Sequence, residues 1–188
     1  DISVIEGVMG LYDGLKDTEL GSTGHLAKVL NCPVILILDS RSLSRSAAAI
    51  ALGYKEFDKE VDIAGIILNN IASMNHYNYI KAAIEKRTKI PVLGYLPRDP
   101  AIKLSERHLG LIPLEEKRLD IGFYQKLLKL VRDNIDLARL LGIARKASPF
   151  FHNKEEIFES SHPKDRVTIA VAKDEAFNFY YQDNLDIL

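Results

Sequence analysis

The 188-residue chain is 47% hydrophobic and carries 25 Lys plus Arg against 26 Asp plus Glu, for a formal net charge of −1. A chain of this size can bury a core, and the absence of a basic stripe argues against nucleic acid as a partner. The longest apolar run, Pro33 to Leu38, is far short of the ~20 residues that a membrane span needs, so no membrane partner is expected. A single cysteine, Cys32, excludes an internal disulfide framework; without a signal peptide in the sequence, we expect a cytoplasmic protein.

The first part of the chain alternates short β-branched runs with helical patterns, which is typical of βα units on a parallel sheet. Strands are predicted at 2–5, 34–38, 63–68 and 92–96, and helices at 23–30, 44–54 and 75–86. Right-handed crossovers between parallel strands make this a doubly wound, mostly parallel α/β sheet.

The second part of the chain predicts a closing helix and then a new domain. A helical period runs from 119 to 141 and should end a first domain, residues 1–142. Turn-forming residues favour a linker at 143–165. A strand at 167–172 would open a second α/β domain, residues 166–188. We expect Asp1 to be a cut point inside a longer protein.

Residues 4–14 are the strongest candidate for a reactive site. An apolar run delivers Glu6 and Asp13 into a loop with glycines at positions 7, 10 and 14. Carboxylates at the carboxyl end of a parallel strand lie where open α/β sheets bind ligands, and their hard oxygens suit Mg²⁺. The alternative is an ordinary turn with solvated acids.

Polar residues follow two further predicted strands. Asn69 comes directly after the strand 63–68, so its amide would reach the carboxyl edge of the sheet and fit the N6/N7 edge of adenine. Asn70 competes for that role, and capping of the next turn is the other alternative for Asn69. Arg45, beside the candidate N-cap Ser44, is placed to meet a phosphate or a substrate carboxylate, or is simply solvated.

Six sequence blocks, in a fixed order, carry a resemblance over most of the chain. They are residues 6–14 (EGVMGLYDG), 44–49 (SRSAAA), 65–70 (GIILNN), 96–99 (LPRD), 106–111 (ERHLGL) and 170–181 (AVAKDEAFNFYY). Together they resemble the cobyrinic acid a,c-diamide synthase family of glutamine-dependent corrin amidotransferases. The resemblance implies a P-loop-type ATPase domain related to dethiobiotin synthetase, followed by the start of a class I glutamine amidotransferase domain.

The resemblance also implies an activity and site residues. The reaction would be ATP- and Mg²⁺-dependent amidation of the ring's a and c carboxylates in cobalamin biosynthesis, through an acyl phosphate that glutamine-derived ammonia attacks. Glu6 matches the acid that helps hold Mg²⁺ on the nucleotide phosphates, and Asp13 the position near the carboxylate being amidated. Asn69 matches the base-reading amide. Pro97 and Asp99 follow the predicted strand 92–96 at the same sheet edge and would line the base pocket, and an ordinary proline turn is the alternative.

Two expected parts of such an enzyme are missing from the sequence. No Gly-x-x-x-x-Gly-Lys-Ser/Thr phosphate loop occurs, and the resemblance places that loop and the glutamine-hydrolysing Cys and His outside this chain. Cys32 is predicted to be a buried structural thiol, and the chain alone is predicted to be inactive. Nickel-sirohydrochlorin or hydrogenobyrinic acid as the substrate, a partitioning-type regulatory ATPase and a homodimer remain open.

Overall fold

The computed structural model describes residues 2–7, 9–102, 121–149, 167–174, 176–177 and 180–188. The chain divides into two compact units. The first comprises Asp1–Pro100 with Lys126–Phe150, and the second Ala101–Gln125 with Phe151–Leu188. All candidate site residues belong to the first unit.

A three-stranded parallel sheet forms the centre of the first unit. Its strands are β1 (Val34–Asp39), β2 (Ile63–Ile71) and β3 (Val92–Pro97), in the order β1-β2-β3. In the register of the sheet, Asp39 lies opposite Asn69, and Ile71 lies opposite Pro97. Since the strands are parallel, their carboxyl ends meet at one edge, where such sheets bind ligands.

The helices of the first unit are α1 (Thr23–Val29), α2 (Ser46–Phe57), α3 (Met74–Thr88) and α5 (Leu137–Ala144), with most of α4 (Ile121–Asn134). A short 3₁₀ turn lies at Pro100–Ile102, and α6 (Gln182–Ile187) belongs to the second unit. α2 links β1 to β2, α3 links β2 to β3, and the two helices pack against each other. Ile66, Leu68, Ile80 and Ile84 are completely buried between the sheet and these helices. The predicted α/β class with a parallel sheet is confirmed.

Two predicted strands are wrong. Residues 2–5 and 167–172 are irregular, and Val4 is 92% exposed. A β-strand is stable only when a neighbouring strand completes its hydrogen bonds and an apolar face is covered. Within the described part of the chain, neither segment has such a neighbour.

The single helix predicted over 119–141 is also wrong, because the described part is broken between α4 and α5. At the break, Ile135 forms a bridge to Gly94 of β3, and the Asp136 N–H donates to the Leu93 oxygen at 2.7 Å. A Cβ at Gly94 would lie 2.2 Å from the Asn134 backbone oxygen, so this close approach requires glycine. Asp136 then caps α5 by accepting a hydrogen bond from the Arg139 N–H.

The start of α2 differs from the predicted one as well. The N-cap is Arg45 rather than Ser44, and no side chain caps the helix. The Ser44 backbone oxygen instead accepts a hydrogen bond from the Ala47 N–H at 3.1 Å, which makes the first turn tight.

No helix in the described ranges is long and apolar enough to cross a membrane.

Candidate functional site

The loop that begins at Glu6 is held on the first turn of α1. Gly7 lies directly against the Thr23 side chain, and the Gly24 N–H donates to the Leu11 oxygen at 2.7 Å. Leu11 itself is 7% exposed and belongs to the core. The loop is therefore anchored from within, while the Glu6 side chain remains exposed and accessible to a ligand.

Asp13 closes a turn in the same loop. Its N–H donates to the Gly10 oxygen at 3.1 Å. A Cβ at Gly10 would lie 2.1 Å from Asp13 Oδ2, so a side chain there would push the carboxylate aside. Asp13 is exposed and lines a cavity of about 260 Å³ together with Lys16 and Phe57. The structure thus places Glu6 and Asp13 on one loop, as predicted from the sequence.

Tyr12 fastens this loop to α2, a role that the sequence analysis missed. Its hydroxyl donates a 2.7 Å hydrogen bond to the Tyr54 oxygen, and its ring packs on those of Tyr54 and Phe57 at centroid distances of 5.8 and 4.8 Å. Burial raises the pKa of Tyr12, and the nearby charge of Asp58 raises it further. The signal in the sequence was an aromatic pair three residues apart, Tyr54 at the end of the predicted helix 44–54 and Phe57 just beyond it.

The end of β2 carries Asn69 and Asn70 within the strand, since β2 continues to Ile71 rather than ending at Leu68 as predicted. Both are half-buried, and Asn70 has a left-handed backbone with φ of 60°. The Asn69 Oδ1 accepts a hydrogen bond from the Asn70 N–H at 2.9 Å. The Asn70 Nδ2 in turn donates to Asp39 Oδ1 at 3.0 Å. The Asn70 amide is thus engaged by a neighbouring strand, whereas the Asn69 amide is held by a backbone group.

Asp39, at the end of β1, is a second residue that the sequence analysis missed. Its carboxylate accepts from the Arg41 N–H at 3.0 Å, from Arg41 Nε at 2.7 Å and from Asn70. Burial raises the pKa of Asp39, but the hydrogen bonds from Arg41 and Asn70 outweigh it and hold that pKa below its ordinary value. An acid directly after the predicted strand 34–38 was the available signal.

The remaining predicted residues lie after β1 and at the end of β3. Pro97 is the last residue of β3, and the following Arg98 N–H donates to the Ile71 oxygen at 3.0 Å. Pro97 is therefore brought to the same sheet edge as the end of β2. The Asp99 carboxylate forms a 2.7 Å ion pair with Lys126 of α4. Arg45 is exposed at the start of α2.

His76 ties together the two loops that leave β1 and β2. Its Nδ1 accepts from the Ala72 N–H at 3.2 Å, so its Nε2 carries the proton and donates to the Leu43 oxygen at 2.7 Å. The sequence analysis did not single out this histidine. Through these two hydrogen bonds, His76 connects the loop before Arg45 to the loop after β2.

A larger cavity of about 890 Å³ lies at the opposite, amino-terminal ends of the strands. Cys32 and Pro33 before β1 and Pro91 before β3 line it. Cys32 is half-exposed there, so the predicted burial of this thiol is wrong. The reason is its position in the open loop between α1 and β1.

The described residues do not form a metal site built from protein ligands alone. No group of three or more His, Cys, Asp or Glu side chains among them is arranged to hold a metal ion. Mg²⁺ often binds through one or two carboxylates and completes its shell with waters and substrate phosphates. The exposed carboxylate of Glu6 fits that requirement.

One of the six sequence blocks, residues 106–111, lies outside the described residues.

Comparison with known proteins gives a consistent picture. The profile of the AAA domain family matches residues 1–105. The chain is 48% identical over its whole length to proteins named cobyrinate a,c-diamide synthase from Methanosphaera stadtmanae and Methanosarcina barkeri, and covers 42% and 40% of them. It is 49% identical to the protein of that name from Listeria monocytogenes, of which it covers 41%. The chain thus spans about two-fifths of these relatives. No solved structure matches it.

Proposed function

Because the chain belongs to the AAA domain family, we propose that it is part of an ATP-dependent ligase that amidates the a and c carboxylates of cobyrinate. The observation that carries this proposal is the loop from Glu6 to Asp13. It presents two exposed carboxylates from a segment that is anchored on α1 and α2. Relatives that are 48% to 49% identical to this chain are named for that amidation.

Making an amide from a carboxylate requires activation. The substrate carboxylate attacks the γ-phosphorus of ATP, which forms an acyl phosphate and releases ADP. Ammonia, released when glutamine is hydrolysed to glutamate, then attacks the acyl carbon and expels inorganic phosphate. The same sequence is repeated for the second carboxylate, so each amide consumes one ATP and one glutamine.

Glu6 and Asp13 have separate tasks in this proposal. Glu6 would hold Mg²⁺, and the ion would supply positive charge that offsets the negative charge of the phosphates during phosphoryl transfer. Asp13 orients the substrate carboxylate or the incoming ammonia. Its position beside the cavity lined by Lys16 and Phe57 supports a place on the substrate side.

Asn69 is the residue that we propose reads adenine. Its Oδ1 has a second lone pair for the N6 amino group, and its Nδ2 can donate to N7. Asn70 is less suited because Asp39 already engages its amide. Pro97 lies at the same sheet edge and would line the base pocket, with Asp99 beside it and Arg45 directed to an anionic group.

Several properties of the complete protein are proposed on the same resemblance. Residues 166–188 would open the glutamine-hydrolysing domain, after a linker at 143–165. The complete enzyme would act in the cytoplasm and form a homodimer. The names of the relatives favour cobyrinate over nickel-sirohydrochlorin as the substrate.

The test uses the full-length protein with cobyrinate, ATP, Mg²⁺ and glutamine, with amide formation followed by mass spectrometry. Glu6→Gln keeps the shape of the side chain but loses its charge, so amidation should fall by at least ~100-fold. Glu56→Gln, on an exposed acid of α2 that does not line the cavity beside Asp13, is the matched control. Amidation by Glu6→Gln at the wild-type rate and Mg²⁺ dependence would refute the role of Glu6. Failure of the wild-type protein to amidate cobyrinate would refute the proposed function.

A further inference from the structure

Three residues at the carboxyl ends of β1 and β2, Asp39, Asn69 and Asn70, are linked by hydrogen bonds through the side chain and the backbone N–H of Asn70. Asp39 Oδ1 accepts from Asn70 Nδ2 at 3.0 Å, and the Asn70 N–H donates to Asn69 Oδ1 at 2.9 Å. The sheet register makes this arrangement possible, because Asp39 lies directly opposite Asn69. The carboxylate of one strand is therefore connected to the amide that we assign to the base on the next.

The middle residue of these three has a left-handed backbone. Asn70 has a φ of 60°, a conformation that is uncommon among non-glycine residues but that asparagine adopts more readily than most. Its side chain is held by Asp39, and Asp39 is held in turn by the backbone and side chain of Arg41. Removing Asp39 would free the Asn70 side chain and lower the preference of its backbone for this conformation. The Asn70 N–H would then no longer be fixed against Asn69.

We infer that Asp39 is a positioning residue for nucleotide recognition, which acts through Asn70 to fix the orientation of the Asn69 amide. This inference rests on the proposed role of Asn69. A fixed amide presents Oδ1 and Nδ2 in one order, which matches the donor at N6 and the acceptor at N7 of adenine. Guanine has acceptors at both O6 and N7, so a fixed amide rejects it. If the amide can rotate so that Oδ1 and Nδ2 exchange places, it discriminates less between adenine and guanine.

The test measures steady-state kinetics of the full-length enzyme with ATP and with GTP. Asp39→Ala should raise KM for ATP about 3- to 10-fold, the range expected for losing one orienting hydrogen bond. Its kcat at saturating ATP should stay within about 2-fold of wild type, since the base is remote from the transferred phosphoryl group. The preference for ATP over GTP should fall by a similar factor. A purely structural role for Asp39 would not change base preference.

Asn70→Gly is the second variant, since glycine tolerates the left-handed backbone and keeps the N–H but lacks the amide that Asp39 holds. It should reproduce the Asp39→Ala effects even if that variant folds poorly. Asp133→Ala is the matched control, because Asp133 pairs with Lys129 on the exposed face of α4. This control should keep the wild-type KM for both nucleotides.

A double-mutant cycle separates the inference from the function on which it rests. If Asp39 acts through Asn69, then Asp39→Ala should add little to the KM of Asn69→Ala. An unchanged base preference in both Asp39→Ala and Asn70→Gly, or fully additive effects with Asn69→Ala, would overturn the inference while leaving the role of Asn69 intact. An unchanged KM in Asn69→Ala would instead overturn the role of Asn69 itself, and the inference with it.

Discussion

The Tyr12 hydroxyl donates a 2.7 Å hydrogen bond to the backbone oxygen of Tyr54, which joins the loop between Glu6 and Asp13 to the last turn of α2. The two residues are 42 positions apart in the sequence. Since α2 packs on α3, the loop gains a rigid support although it has no regular secondary structure. Catalytic groups on loops depend on such supports for their position.

Tyr12→Phe should loosen this loop while keeping the ring packing. The loss of one hydrogen bond should lower the free energy of unfolding by about 0.5–1.5 kcal/mol. It should also increase hydrogen exchange in residues 9–14, measured by mass spectrometry. Tyr79→Phe is the control, because Tyr79 is 71% exposed on α3 and should leave both quantities unchanged. Equal exchange in Tyr12→Phe and wild type would show that the hydroxyl does not hold the loop.

The sequence was sufficient for the parts of the fold that depend on local pattern. β1, β2 and β3 were predicted because continuous apolar runs mark strands that are buried in a parallel sheet. The contact between Asp39 and Asn70 could not be predicted, because it depends on the register between two strands. The break at Ile135 depends likewise on the close approach of Gly94, 41 residues earlier in the chain.

In the candidate site, too, the features carried by local sequence could be predicted, and those that depend on tertiary contacts could not. Glu6 and Asp13 were selected as candidates from residue type and loop composition, since carboxylates and glycines can be identified without a structure. The anchors of that loop were not found, because Leu11 and Tyr12 act through partners that only the fold brings to them. The strand predicted at 2–5 was wrong for a related reason. An apolar run indicates side chains that a strand would have to bury, but it does not indicate whether a neighbouring strand is present to cover them.

Glu85 makes the stability of the folded state depend on pH in the acidic range. It accepts from Lys81 Nζ at 2.6 Å and from the Val92 N–H at 3.0 Å, and so joins α3 to the start of β3. Burial raises the pKa of Glu85, but these two donors outweigh it and hold the pKa below its ordinary value of 4.5. A carboxyl with a lowered pKa in the folded state stabilises that state above its unfolded-state pKa. The stabilisation is lost as the pH falls through the folded-state pKa.

Glu85→Gln should therefore lower the urea midpoint of unfolding at pH 7, and this difference from wild type should shrink as the pH falls below about 4. The measurement is a series of urea titrations from about pH 3 to pH 7. Glu56→Gln is the comparison, because Glu56 pairs with Lys59 and both side chains are exposed on the surface. A difference between Glu85→Gln and wild type that stays constant over this range would contradict the expected linkage.

Gly94→Ala should separate β3 from the junction of α4 and α5. The added Cβ would lie 2.2 Å from the Asn134 oxygen, and the backbone φ of 150° is itself rarely adopted by a side-chain-bearing residue. The expected loss of stability is about 2 kcal/mol or more. Exchange of the Asp136 amide should become faster, because its hydrogen bond to the Leu93 oxygen would be broken.

Gly53→Ala is the matched control for that substitution. Apart from its chain neighbours and the backbone of its own helix, no described atom lies within 4 Å of a Cβ at Gly53, which is exposed within α2. Alanine in a helix is favoured over glycine by about 0.5–1 kcal/mol, so this variant should be slightly more stable than wild type. If both glycine variants changed stability by the same amount, the close contact at Gly94 would not be the cause.

Asp13→Asn tests the proposed separation between the nucleotide and substrate sides of the site. Asp13 is seven residues beyond Glu6 and lines its own cavity with Lys16 and Phe57, so we place it against the carboxylate being amidated. In the full-length enzyme, Asp13→Asn should lower amidation much more than it weakens ATP binding. Titration of ATP against the mutant and the wild type decides the question. A rise in Kd above ~10-fold, about 1.4 kcal/mol of binding free energy, would move Asp13 to the nucleotide side. A normal Kd with slow amidation would keep it beside the substrate, because a residue that holds the reacting carboxylate need not contribute to nucleotide affinity.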